Sequence, residues 1–174
     1  MAVSFRQPTD DDPERIAGWT DSPASLLQWA GPVFSFPFDA AQLRDHLGEI
    51  EDSGPTHRAY AAAADGRLVG YLELADIDRE NRSARVARVI VDPAERGNSY
   101  GTAMVREIVR IGFDELGLHR IGLRVFDFNE VAIGCYETVG FVQEGVLRDV
   151  RRHGEEYWSL VTMSYLETER PSDE

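Results

Sequence analysis

Apolar residues recur along this chain with two periods, and the alternation between them lays out the elements. Val3 and Phe5 alternate as a first strand. Thr9, the acidic run Asp10, Asp11 and Asp12, and Pro13 then mark a helix start, because proline and acidic groups both suit a first turn. Residues 20–38 read as irregular, with Trp29, Phe34, Phe36 and Phe38 crowded between Pro23, Pro32 and Pro37, and Trp19 just before them. Asp39 caps a helix that carries Leu43, Leu47 and Ile50 on one face. The extended stretch 58–64, the Asp65-Gly66 turn and the stretch 68–74 form a hairpin. A polar loop, 76–82, leads into the strand 84–91, which completes an antiparallel meander.

Beyond Gly101 the period lengthens: Met104, Val105, Ile108, Val109, Gly112 and Leu116 share one helical face, and Gly117 is placed to end it. Ile121, Leu123 and Val125 alternate as a strand. Asn129 caps a short helix with Ala132, Cys135, Tyr136 and Val139 inward and Gly140 as its stop. Stretches 141–147 and 157–166 are a last pair of strands, joined near His153 and Gly154. The order βα(α)βββαβαββ is mixed α+β without an internal repeat, one domain over 1–166 with a disordered tail over 167–174.

Composition narrows the class. At 174 residues the chain can bury one substantial core. It has no leader with a cleavage site and no apolar run of about 18 residues, so the expectation is a cytoplasmic protein without a membrane partner. The single cysteine, Cys135, rules out an intrachain disulfide and a cysteine-rich metal site. His46, His57, His119 and His153 show no ligand spacing, so no metal is expected and each reads as a surface or turn residue. The net charge of −13 argues against nucleic acid as a partner. It is unevenly spread: −8 over residues 1–82, +2 over 83–124 and −7 over 125–174. The middle segment suits an anion, while the rest of the surface either steers a cation or serves solubility.

That middle segment holds the candidate chemistry. Val89, Ile90 and Val91 run through Pro93 into Arg96, Gly97, Asn98, Ser99, Tyr100, Gly101 and Thr102, where a helix begins. A helix start presents unbonded N–H groups and the positive end of the macrodipole, and glycines let a phosphate come close. An ordinary strand-to-helix turn would look similar. A P-loop needs lysine, and the chain contains none; a dinucleotide fingerprint needs a glycine spacing that Gly97 and Gly101 do not supply. The loop resembles the acyl-CoA loop of the GNAT N-acetyltransferases, matching it at Arg96 and Gly101. Ser99 stands where that family has its middle glycine; serine can still offer its N–H and cap the helix, provided its φ is negative.

A second motif supports the resemblance. After the strand through Leu123, the residues Asn129, Ala132, Tyr136, Glu137, Gly140 and Phe141 match the later motif of the same family, in the right order. Glu144 to Arg148, with Met163 and Ser164, resemble the branch that includes the ribosomal-protein N-terminal acetyltransferases. The likeness covers roughly residues 67–166 well. It implies the GNAT acyl-CoA N-acyltransferase fold: a central, mostly antiparallel twisted sheet with a splayed parallel pair, flanked by about four helices. It also implies acetyl-CoA as co-substrate and, as a family expectation, a homodimer.

The chemistry implied by that resemblance has four needs. The N–H groups from Arg96 to Thr102 would hold the pyrophosphate. The strand edge at Val89, Ile90 and Val91 would pair with the pantetheine amides, and a backbone N–H there would stabilise the developing oxyanion. Tyr136 would protonate the departing thiolate, although it also reads as a core tyrosine; Asn129 caps its helix and would contact the cofactor. The amine must be neutral: at pH 7 about one α-amine in seven is, against roughly one lysine-like amine in 2,500. Glu73 is the candidate base, and it reads equally as the exposed half of a strand alternation. The aromatics of 19–38 either line the acceptor cleft or close a core. Cys135 sits inside a helix without a nearby histidine, which disfavours a covalent acetyl carrier. The acceptor is then a primary amine, either a peptide N-terminus or a small molecule, attacked directly in a ternary complex. The rival reading is an acyl-CoA-binding regulatory module without chemistry.

Overall fold

In a computed structural model that describes residues 2–172, seven strands form one sheet with helices on both faces. The strands are β1 (Ser4–Arg6), β2 (Arg58–Ala64), β3 (Arg67–Asp78), β4 (Ser83–Val91), β5 (Arg120–Phe126), β6 (Val142–His153) and β7 (Glu156–Leu166). The helices are α1 (Asp12–Ile16), α2 (Pro23–Ala30), α3 (Ala40–Asp52), α4 (Tyr100–Arg110) and α5 (Glu130–Val139). The sheet order is β1-β2-β3-β4-β5-β7-β6, and every neighbouring pair is antiparallel except β4 with β5. That exception follows from connectivity, since α4 supplies the crossover that a parallel pair requires. The expected α+β class and the mixed sheet with its parallel pair hold.

Each face of the sheet buries its own core. On one, Leu72, Leu74 and Val86 of the meander and Leu123, Val125 and Met163 of the later strands pack under Met104, Ile108 and Tyr136. On the other, Tyr71 and Ile90 pack against Ile16, Trp19, Leu26 and Leu43. Period-two alternation along β3 thus sends neighbouring side chains into different cores, which is why the strand reads as apolar throughout. α4 continues through a π-turn at Ile111–Glu115, and Gly117, at φ +66°, releases the chain into β5. No helix among the described residues is long and apolar enough to cross a membrane.

Three expectations need correcting. The stretch 20–38 contains a regular helix, α2, so the sheet is flanked by five α-helices rather than about four. Its start is a capping box made of two serines: Ser22 Oγ accepts from Ser25 N at 3.0 Å and Ser25 Oγ from Ser22 N at 3.1 Å. Pro23 occupies the first turn, where its missing N–H costs nothing, so it starts the helix instead of interrupting one. The polar loop is shorter than 76–82, because β3 runs on to Asp78 before the turn. The tail from Glu167 is not disordered over its described part. It makes a 3-10 turn at Glu167–Glu169, and Arg170 pairs with Asp114 at 2.6 Å; residues 173 and 174 lie outside the described part.

Gly140 and Gly134 of the α5 region test this packing in opposite directions. Gly140 has φ +132°, and a Cβ there would sit 2.6 Å from the Tyr165 ring, whereas Gly134 faces open space. Gly134→Ala should raise stability by about 0.5–1 kcal/mol and Gly140→Ala lower it by about 2 kcal/mol or more, read from urea unfolding midpoints. A neutral Gly140→Ala would contradict the register in which α5 hands over to β6.

Candidate active site

The parallel pair is short. β4 and β5 are in register only at Ser83, Ala84 and Arg85 with Arg120, Ile121 and Gly122, although β4 runs on to Val91 and β5 to Phe126. Beyond Arg85 the strands separate, and a cleft of about 1130 Å³ runs through the gap from one face of the sheet to the other. That exceeds the usual volume of a single small-molecule site and leaves room for two ligands.

One end of the cleft is the loop after β4. Asp92 Oδ1 accepts from Ala94 N at 2.9 Å, setting a short turn at Pro93–Glu95, and Gly97 adopts φ +84°. Ser99 then takes a left-handed conformation, φ +63° and ψ +17°, and its side chain makes no capping bond. The negative φ on which a Ser99 cap depends is absent, and the side chain does not cap α4. It holds the conformation that glycine adopts freely, at roughly 1–2 kcal/mol of backbone strain. Its carbonyl accepts from Ala103 N at 3.1 Å, so the N–H groups of Tyr100, Gly101 and Thr102 open the helix at the cleft. Arg96, Gly97 and Ser99 line the cleft as well. Asn98 does not: its side-chain amide donates to the Glu95 carbonyl at 3.1 Å.

α5 supplies the next wall. Asn129 Oδ1 accepts from Ala132 N at 3.3 Å, the cap expected from sequence. Tyr136 is buried against Phe141 and reaches the cleft, and burial raises its phenol pKa above the ordinary value, with Cys135 adding to the shift. It therefore carries its proton at neutral pH. Thr102 Oγ1 lies 3.4 Å from Cys135 Sγ and ties the start of α4 to α5. Val89, Ile90 and Val91 line the gap on the β4 side.

Glu73 sits elsewhere. It is 0% exposed, outside the cleft lining, and neither the exposed half of an alternation nor a free carboxylate. Oε1 accepts from His46 Nε2 and Tyr71 Oη, each at 2.7 Å, and Oε2 from His57 Nε2 at 2.8 Å and Arg88 Nη1 at 2.7 Å. Burial alone would raise its pKa, but the hydrogen bonds from His46 and His57 and the charge of Arg88 hold it down to about 2. His46 and His57 are accordingly not surface or turn residues in role. The sequence does carry a signal for His46, which falls on the Leu43 and Ile50 face of α3; His57, just before β2, has no such periodic neighbour. Their ring nitrogens and a Glu73 oxygen lie within 4.8 Å of one another, the grouping among the described residues that could hold a metal ion. The carboxylate is already fully used by four donors, one of them a guanidinium that a cation there would have to displace.

Arg88 connects this cluster to the cleft. It lines the gap with φ +50°, in the bulge where the β3 register shifts between Glu73 and Tyr71, and the Trp29 indole donates to its carbonyl at 3.0 Å. The aromatics before β2 divide between the cleft wall and the core. Trp19 and Trp29 line the cleft, while Trp29 also packs on Phe34, Phe38 and Tyr71 in the core.

Glu73→Gln would leave Arg88 without its counter-charge in a buried setting, so it should cost about 3 kcal/mol, a fall of roughly 6–12 °C in Tm for a chain of this size. The carboxyl titrates near 2 when folded and near 4.5 when unfolded, so its stabilisation is complete above about 4.5 and is lost as pH falls from 4.5 through 2. Acid unfolding curves should therefore flatten across that window in the variant. An unchanged acid limb would place the titrating charge elsewhere.

Comparison with known proteins agrees with this geometry. Residues 24–141 match the model of the acetyltransferase (GNAT) family. A prophage-derived uncharacterized N-acetyltransferase of Bacillus subtilis is 30% identical over 115 residues, which is 66% of this chain and 64% of that protein. A spermidine N(1)-acetyltransferase of Escherichia coli is 27% identical over 141 residues, 81% of this chain and 74% of that one. Among solved structures, the spermidine N-acetyltransferase of Vibrio cholerae in complex with CoA and spermine superposes with a TM-score of 0.83 at 24% identity, over 96% of both chains. With residues of both motifs lining a cleft that opens between the parallel strands, the chain belongs to the GNAT family of N-acetyltransferases.

Proposed function

We propose that this protein transfers an acetyl group from acetyl-CoA to a primary amine by direct attack within a ternary complex. The observation that carries this reading is the separation of β4 from β5 after three paired residues, with the Arg96 to Thr102 loop and Tyr136 on the walls of the gap. The side of β4 facing the gap has lost its ladder partner, and an amide-rich chain such as pantetheine restores it. The start of α4 suits a pyrophosphate, aided by the charge of Arg96.

The amine lone pair attacks the thioester carbonyl carbon, a backbone N–H in the β4 gap takes the charge that develops on the oxygen, and the C–S bond breaks. Tyr136 gives its proton to the sulfur leaving group, and the attacking nitrogen, made cationic by the new C–N bond, loses a proton to solvent as it becomes the amide; solvent returns a proton to Tyr136. Glu73, a candidate base from sequence, is a positioning residue in this scheme. With a pKa near 2 and four donors on two oxygens, it has no affinity for another proton near neutrality. It fixes Arg88, and through Arg88 the β4 bulge. The amine must then arrive neutral from solvent, which favours α-amines over lysine-like ones by the factor set out above.

The regulatory-module reading keeps the cofactor half and drops the chemistry, and release of free thiol from acetyl-CoA in the presence of amines separates the two. Tyr136→Phe should lower kcat by about a hundredfold or more while the Kd for CoA stays within about twofold. Unchanged turnover would remove Tyr136 from its role.

A further inference from the structure

The acceptor half of the cleft has a charge opposite to that of the whole chain. On β5, Leu123 and Val125 enter the core beneath α4 and α5, so Arg124 projects to the other face, the side covered by α2. Arg124 lines the cleft there together with Arg151 of β6, Arg88 of the β4 bulge and Asp21 just before α2. Arg85 also lines it but is paired with Asp76 at 2.9 Å. Arg124 and Arg151 meet no carboxylate among the described residues; Arg151 donates only to the neighbouring Val150 carbonyl at 3.2 Å. Two further polar atoms in this half are buried without a partner among the described residues, Arg88 Nε and Thr20 Oγ1. Buried donors are rarely left so unless a ligand completes them. Of the two acids in the lining, Glu95 is engaged by Arg67 beside the loop after β4, whereas Asp21 meets no cation among the described residues and accepts only from Ser25 Oγ at 3.3 Å.

Guanidinium groups without partners match a planar oxyanion, and they repel a polycation. We propose that the acceptor is a zwitterionic amine, a primary amine with a carboxylate a few bonds away: Arg124 and Arg151 take the carboxylate, and Asp21 lies on the amine side. This deepens the acetyl-transfer reading and rests on it for the identity of the other ligand. It also separates this chain from its relatives named for spermidine. The net charge of −13 would draw a cation to the surface, but the arginines select against a polyamine inside the cleft.

Binding to the full chain saturated with CoA, followed by calorimetry, tests this without requiring turnover. Alanine is compared with alaninamide, aspartyl-alaninamide with asparaginyl-alaninamide, and all four with spermidine. In at least one pair the carboxylate member should bind about tenfold or more tightly, the size of one charge-assisted hydrogen bond. A preference confined to the first pair assigns a free amino acid, and one confined to the second assigns an acidic peptide N-terminus. The double variant Arg124→Gln, Arg151→Gln should erase the preference and leave the Kd for CoA unchanged. No difference within either pair, tighter binding of spermidine than of all four, or a loss of CoA affinity in the double variant would overturn the proposal. An intact preference with no thiol release from acetyl-CoA would support it and overturn the acetyl-transfer reading instead.

Discussion

A backbone edge that has lost its ladder partner inside a protein has to be satisfied by something, and in this fold that obligation falls on the gap between β4 and β5. The two strands pair through Arg85 and Gly122 and then part, while β3 and β7 hold their outer sides in antiparallel register. The sheet therefore stays whole although it is open at its centre. Nearly every functional feature is placed by that opening. α4 and α5 both begin at its mouth, because each follows one of the two diverging strands, so two helix starts and Tyr136 converge on one slot.

The buried cluster around Glu73 adjoins the opening through Arg88. Its carboxylate gathers α3 through His46, the approach to β2 through His57, β3 through Tyr71 and β4 through Arg88. Desolvating a charge this completely is costly, and the four donors offset that cost only in this geometry. Arg88 cannot easily leave its left-handed conformation while Glu73 holds its side chain and Trp29 its carbonyl. The cluster thus couples α3, and through Trp29 also α2, to the strand β4 that lines the cleft.

Much of this was legible in the sequence where the signal is local. Extended apolar stretches mark β2 through β4 and alternation marks β5, the Asp39 and Asn129 caps are made by the expected side chains, and residues of both motifs line the cleft. Local reading failed where a residue type was ambiguous or its partner lay far along the chain. Ser22 and Pro23 start a helix, but the capping partner is Ser25 rather than the usual acid, and the surrounding aromatics obscured the period. Ser99 stands at a glycine position of the family motif, and residue type alone does not set the sign of its φ; the loop takes a positive φ and leaves the hydroxyl out of the helix. Glu73 reads from sequence as a candidate base or an exposed strand residue and is neither, because its partners lie 27 and 16 residues away at His46 and His57, and nothing in periodicity joins them.

The central claim is that the separated edge of β4 is the cofactor slot. Backbone amide hydrogen exchange with and without acetyl-CoA measures that edge directly. The account predicts slower exchange on binding at residues 86–91 of β4 as well as at residues 96–102 of the loop, with β1 and β2 unchanged. Protection confined to the loop, or found outside both segments, would contradict it.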